Sequence, residues 1–341
     1  MVSSDCFGTG LRDRTGPRGG GLSRRNPSRG RCAARPVHGV MDAMNDHTIE
    51  VHDLTRRYGD LLAVDHISFA VRGGAMTGFV GANGAGKSTT MRMIVGVLAL
   101  TEGQVTWAGR PITAADRRRF GYMPEERGLY PKQKIIDQLV YLARLRGVGP
   151  DRARKDAMAH LERFGLAERA TDKVEALSLG NQQRVQVIAA VMAEPTALIL
   201  DEPFSGLDPV AVDSMVDLLR EQTHRGVPVL FSSHQLDLID RLCDRMTILH
   251  EGRLVADGTT EELRRAGPHR HRIVARADLG WLRQTRGVDV VDLDGRTAVV
   301  TFTEQGADQA VVAEALNRGG LDEFAPVVAS LSEIYREVAA A

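Results

Sequence analysis

Cysteine is scarce in this chain and poorly arranged for chemistry. Cys6, Cys32 and Cys243 show no metal-ligand spacing, and an odd, scattered set makes a poor disulfide framework. A reducing, cytosolic setting follows. Long apolar runs are lacking too: nothing approaches the roughly 18 consecutive apolar residues of a membrane span, and the longest stretches, such as those at 185–193 and 197–200, have the length of core elements. Any pore this protein serves must be another polypeptide. Neither sign of charge dominates, for the formal net charge is +0 with 26% charged residues. That balance gives no global pull towards nucleic acid or anionic lipid. The N-terminal region has no apolar core of a secretory signal, so passage out of the cell is not expected.

What the chain does have is length and texture. Its 341 residues exceed the size at which single cores divide, roughly 250–300, so one large domain and a smaller one are expected. Residues 1–45 are rich in Gly, Arg, Ser and Pro without hydrophobic periodicity. Such a segment cannot offset its ordering entropy by burial. It reads as a disordered tail, or as sequence upstream of a true start at Met41 or Met44.

From Ile49 short β-branched runs appear, separated by Gly turns. Strands are expected at 49–54 and 66–71 with a loop carrying Tyr58 between them, then a buried strand at 76–80 and a helix at about 86–97. A hairpin follows across Ala108-Gly109, and a helical stretch fills 131–193. Strands and helices then alternate from 198 to 242, ending in a hairpin across Glu251-Gly252. Alternation of this kind implies a mostly parallel sheet covered by helices. After Gly267-Pro268 a second unit begins, in the order β-α-β-β-α-β with a closing helix, and that order resembles a ferredoxin-like split. The expected division is 46–266 for the first domain and 269–341 for the second.

Three segments carry chemistry. Gly81-Ala-Asn83-Gly84-Ala85-Gly86-Lys87-Ser88-Thr89 fits the Walker A pattern between a strand and a helix. Its glycines let backbone N–H groups curl around phosphate oxygens at a helix N-terminus. Lys87 supplies charge to the β- and γ-phosphates, and the Ser88 hydroxyl can ligate Mg²⁺. Ala197-Leu-Ile-Leu-Asp201-Glu202 is a buried strand ending in two acids, with Asp201 suited to hold Mg²⁺ through water and Glu202 to orient or deprotonate an attacking water. Leu177-Ser178-Leu179-Gly180-Asn181-Gln182-Gln183 opens a helix. Ser178 there can serve as a plain N-cap, or its exposed donors can bind an anion that the surrounding sequence does not supply.

Taken together, the series resembles the ATPase subunits of ABC transporters, whose signature motif is LSGGQ; the likeness spans about residues 49–263. It implies a P-loop ATPase domain of mostly parallel sheet with an antiparallel β subdomain and a helical subdomain, followed by a small α+β accessory domain. The cofactors implied are ATP and Mg²⁺. Ser178 and Gly180 would contact the γ-phosphate of nucleotide held by a second copy of the chain or a homologous subunit; Leu179 and Asn181 depart from the motif beside them. Tyr58 would stack on adenine, His234 would be the switch histidine at the γ-phosphate, and Asp208 would close the Ser205-Gly206-Leu207-Asp208 loop that passes signals between sites.

Where such proteins present glutamine to Mg²⁺ and water, this chain has Glu125, within a PEERGLYP string similar to drug- and sodium-export members. His224, His250 and His271 lack such support and are expected at ordinary surface positions. The resemblance implies a subunit at the cytoplasmic face of the membrane, held by a separate multi-span permease and powering export, with no nucleic acid as partner. The alternative function is that of a soluble ABC-type ATPase acting on nucleic acid or the ribosome; such relatives usually join two ATPase units in one chain or insert long coiled coils, and this sequence shows neither.

Overall fold

A computed structural model describes residues 47–126, 128–267 and 269–340. The expectation for residues 1–45 lies outside them. In chain order the elements are β1 (Ile49–Tyr58), β2 (Leu61–Val71), β3 (Met76–Val80), α1 (Lys87–Ile94), β4 (Glu102–Trp107), β5 (Arg110–Pro111), α2 (Ala114–Arg118) and β6 (Phe120–Met123). Next come α3 (Ile135–Leu145), α4 (Pro150–Arg163), α5 (Leu179–Val191), β7 (Ala197–Leu200), α6 (Pro209–His224), β8 (Val229–Ser233) and α7 (Leu236–Leu242). The chain then forms β9 (Arg245–His250), β10 (Arg253–Thr259), α8 (Thr260–Ala266), β11 (Arg270–Ala275), β12 (Val288–Asp294), β13 (Thr297–Phe302), α9 (Ala307–Asn317), β14 (Leu321–Val327) and α10 (Leu331–Ala340).

The central sheet has six strands in the order β10-β9-β3-β8-β7-β6. All neighbours pair in parallel except the edge strand β10, which is antiparallel to β9. Strands β3, β7 and β8 are buried at every residue, which explains why they read as continuous short runs rather than as alternation. Their side chains still alternate between two cores. Leu198 and Leu200 join Phe231 and the apolar faces of α3 to α7, while Ala197 and Ile199 join Phe79 and Leu230 on the other face. That second core is roofed by an antiparallel sheet ordered β2-β1-β4-β5 and by α1.

Several local expectations shift. Strands β1 and β2 run on to a tight turn at Gly59-Asp60, so Tyr58 ends a strand rather than sitting in a loop. Helix α1 is shorter than 86–97, stopping at Ile94. The segment at 131–193 divides into three α-helices and short 3₁₀ turns. Strand β6 was not expected. It exists because Phe120–Met123 pairs in parallel with β7, a partner more than seventy residues along the chain.

The C-terminal unit is an antiparallel sheet ordered β12-β13-β11-β14 over a core containing Ile273, Leu282, Val300 and Val311. The first helix of the expected β-α-β-β-α-β order is a 3₁₀ turn, Gly280–Gln284. His271 corrects another expectation: it is half-buried, its ring stacked at 5.1 Å on Phe324 and packed at 5.2 Å against Phe302. The last helix, α10, returns to pack on α7 and α8, with Ile334 only 4% exposed. Among the described residues no helix is long and apolar enough to cross a membrane.

Candidate functional site

Ligands in open α/β sheets gather beyond the carboxyl ends of parallel strands. Here β3 delivers the Gly81–Lys87 loop, β6 leads to Glu125, β7 ends at Asp201 and β8 leads to His234. Because β3, β8, β7 and β6 are consecutive neighbours, these four loops meet at one edge.

The phosphate-type loop is set by glycine. Gly84 and Gly86 have φ of 83° and 100°, and a Cβ on Gly86 would lie 2.8 Å from the Ala63 carbonyl oxygen. Only glycine fits a left-handed turn pressed against another backbone. Gly81 and Ala85 are buried and frame the loop. Lys87, 7% exposed, folds back so that Nζ donates to the carbonyls of Gly81 at 2.7 Å and Ala82 at 3.1 Å. Of its three N–H donors, two hold the loop and one is left for another acceptor. The first turn of α1 has no acidic residue, so its N-terminal dipole stays available to an anion.

Opposite the loop stand the acids. Asp201 is fully buried; Oδ1 accepts from the Ser232 hydroxyl at 2.6 Å, whereas Oδ2 has no partner among the described residues. A buried carboxylate oxygen without a partner is costly, and a cation or its water shell would satisfy it. The Ser88 hydroxyl reaches Oε2 of Glu125 at 3.4 Å, so a third oxygen donor stands near. These three oxygen-bearing side chains suit a hard divalent ion such as Mg²⁺. Glu202 adopts φ +52°, unusual for a residue with a Cβ. Its N–H donates to Ser232 Oγ at 2.8 Å, and its Oε2 lies 3.0 Å from Nδ1 of the exposed His234.

The structure therefore brings many of the named residues together. Asn83, Gly84, Gly86, Lys87, Ser88, Thr89, Glu125, Asp201 and Glu202 line one cleft of about 190 Å³. An adjoining depression of about 280 Å³ carries Asn83, Glu125, Glu202 and His234 towards Leu179, Gln183 and Gly206. Beyond the loop itself, Tyr58, Ser178, Gly180 and Asp208 line neither the cleft nor the adjoining depression. Tyr58 is 45% exposed, with the Arg56 guanidinium 4.4 Å from its ring centre. Ser178 caps α5 by accepting from the Asn181 N–H at 3.4 Å, and Gly180 follows in the first turn. Asp208 caps α6 by accepting from the Ala211 N–H at 2.9 Å and takes a 2.8 Å bond from Arg184. That N–H bond, with the Arg184 charge beside it, holds the Asp208 carboxyl below the usual carboxylate range.

Two residues of the site escaped sequence reasoning. Ser232 both donates to Asp201 and accepts from Glu202; its only signal was a pair of hydroxyls, Ser232 and Ser233, closing an apolar run. Gln183 donates from Nε2 to the Glu202 carbonyl at 2.7 Å, a contact with no local signature.

Comparison with known proteins gives consistent matches. The family model described as ABC transporter matches residues 64–205, and that of the ATP-binding protein DrrA1-3-like C-terminal domain matches residues 258–339. The uncharacterized ABC transporter ATP-binding protein YhaQ of Bacillus subtilis (strain 168) is 40% identical over 290 residues, covering 85% of this chain and 97% of that protein. The Nod factor export ATP-binding protein I of Burkholderia orbicola (strain AU 1054) is 35% identical over 218 residues, covering 63% of this chain and 72% of its own length. Among solved structures, an ATP-binding subunit of an ABC transporter superposes with a TM-score of 0.60 at 33% identity, covering 64% of this chain and 92% of the other.

Proposed function

The chain belongs to the ATP-binding subunits of ABC transporters, which bind and hydrolyse ATP to power transport, and on that footing we propose how its residues do so. The observation that carries the reading is the convergence of Lys87, Ser88, Glu125, Asp201 and Glu202 on one cleft at the carboxyl ends of neighbouring strands. The loop N–H groups and the free donor of Lys87 bind the β- and γ-phosphates. Glu202, aligned by His234, takes a proton from water as its oxygen bonds to the γ-phosphorus; the bond to the bridging oxygen breaks and ADP leaves with that electron pair. Ser88, Asp201 through Oδ2, and Glu125 would hold Mg²⁺, which when bound neutralises phosphate charge. Tyr58 offers an exposed ring for adenine.

Ser178 and Gly180 serve a second copy. Neither lines the cleft of its own chain, and the first turn of α5 is free of acidic residues, as an anion site requires. Two copies would thus build two complete sites, with Asp208 at the junction. A separate permease docks beside Glu125. A groove of about 210 Å³ runs from Tyr122, Met123 and Pro124 to Leu142 and Leu145, and Tyr130, Tyr141 and Leu145 expose their side chains nearby. A segment seated there would press on the loop that carries Glu125, and such docking supports a peripheral place on the permease, which we assign to the cytoplasmic face of the membrane. Export is the favoured direction, in keeping with the Nod factor export relative. We take the ATPase domain as 46–266 and the accessory domain as 269–341. For the latter, the antiparallel order β12-β13-β11-β14 supports a ferredoxin-like reading.

The test is Glu202→Gln. Hydrolysis should fall at least about 100-fold, the scale of losing a positioned base. ATP should still bind, and the ATP-loaded protein should run as a dimer in size exclusion. Turnover at the wild-type rate would overturn the mechanism.

A further inference from the structure

We propose that Gln183 is a positioning residue for hydrolysis, acting through the backbone of Glu202. The inference rests on the reading above that Glu202 takes the proton from water. Glu202 is held at φ +52°, in a region disfavoured for side chains with a Cβ, and such a conformation persists only where neighbours over-determine it. Its peptide is pinned from both sides. The N–H donates to Ser232 Oγ at 2.8 Å, and the carbonyl accepts from Gln183 Nε2 at 2.7 Å. Between these two anchors the side chain emerges towards His234, with 3.0 Å between Oε2 and Nδ1.

The two anchors come from different layers. Ser232 belongs to β8 in the central sheet, while Gln183 belongs to α5, the helix that Ser178 caps. Helix α5 meets the same turn at two further points. A Cβ on Gly180 would stand 2.8 Å from the Gly206 carbonyl oxygen, and Arg184 Nη2 donates to Asp208 Oδ2 at 2.8 Å. Helix and turn are therefore one piece, and Gln183 is the link that ends on the reacting residue. When α5 shifts, the Glu202 peptide shifts with it. Without the Gln183 bond, a buried-side carbonyl loses its donor and the strained turn is held from the sheet alone.

The experiment uses the full chain and three substitutions, with MgATP turnover and binding of a fluorescent ATP analogue as readouts. Gln183→Met keeps length but removes the donor; Gln183→Glu also removes it; Gln183→Lys restores a donor. Met and Glu should lower kcat roughly tenfold, the effect of one oriented hydrogen bond, with KM and analogue affinity within about twofold of wild type. Lys should recover much of the rate, and Gln183→Met should cause no further loss in a Glu202→Gln background. Wild-type turnover in both Met and Glu variants, a raised KM at unchanged kcat, or a Lys variant as slow as Met would overturn the inference while leaving the ATPase reading intact. A wild-type chain that binds ATP without hydrolysing it would overturn both.

Discussion

Ser232 and Asp201 share a hydrogen bond of 2.6 Å in which both side chains are wholly excluded from solvent. The same hydroxyl oxygen accepts the Glu202 N–H, so one atom of β8 fixes both acids of the site. One face of the Asp201 carboxylate is thereby satisfied and the other left open to the cleft.

Ser232→Ala should therefore strip from the Asp201 carboxylate its one hydrogen-bond donor among the described residues and orphan the Glu202 N–H. We expect unfolding free energy in EDTA to fall by about 1–3 kcal/mol, the cost of unsatisfied buried polar groups. The Mg²⁺ concentration for half-maximal turnover should also rise. Denaturant titrations and Mg²⁺ titrations of ATPase rate check both; unchanged curves would show that Asp201 finds another donor.

Glu125 places a carboxylate where its oxygen meets the Ser88 hydroxyl at the mouth of the cleft. A negative charge there attracts Mg²⁺ and repels bare phosphate. Glu125→Gln should thus raise the Mg²⁺ concentration needed for half-maximal turnover and tighten binding of metal-free ATP. Isothermal titration in EDTA and Mg²⁺-dependent kinetics separate the two effects. If rate and Mg²⁺ dependence stay as in wild type, Glu125 does not tune hydrolysis.

The depressed carboxyl of Asp208 gives a pH prediction. A group whose folded value lies below its unfolded value, about 4 for aspartate, contributes stability above that value and loses it as pH falls through the folded one. Asp208→Asn keeps an acceptor for the Ala211 N–H but removes this pH-dependent part. Urea midpoints of variant and wild type should differ at neutral pH and converge below about pH 4. A constant difference across that range would assign the effect elsewhere.

Ile334 tests the return of α10 to the ATPase domain. It is buried in the same core as Ile239, Leu242 and Leu263, and Ser332 reaches Asp237 of α7 at 3.4 Å. Ile334→Ala should cost about 2–5 kcal/mol, as buried truncations do. Amide exchange in α7, which starts two residues after His234, should quicken. An effect near zero would mean that α10 does not dock in solution.

Much of the ATPase fold was legible in the sequence. Strands β3 and β7 announced themselves as short apolar runs ending in a glycine loop and in Asp201-Glu202. Strand β6 did not, because Phe120–Met123 is a strand only through a distant partner. Tyr58 was misplaced for a related reason: the β1–β2 pairing persists to Tyr58↔Leu61 through several bulges that disguise the alternation. His271 looked like a surface residue because its cover, Phe302 and Phe324, comes from β13 and β14.

The sequence by itself determined the phosphate loop and the acidic strand end, since glycines at positive φ and an apolar run closing on two acids are local facts. Only the tertiary structure decided which groups those elements meet. Ser88 finds Glu125 across 37 residues, Ser232 finds Asp201 across 31 and His234 finds Glu202 across 32. Those meetings follow from the order and register of four parallel strands, and register is set by how buried side chains pack between layers rather than by any residue's own preference. The Gln183 bond belongs to the same class: a helix side chain reaches a distant strand's end only after both have packed.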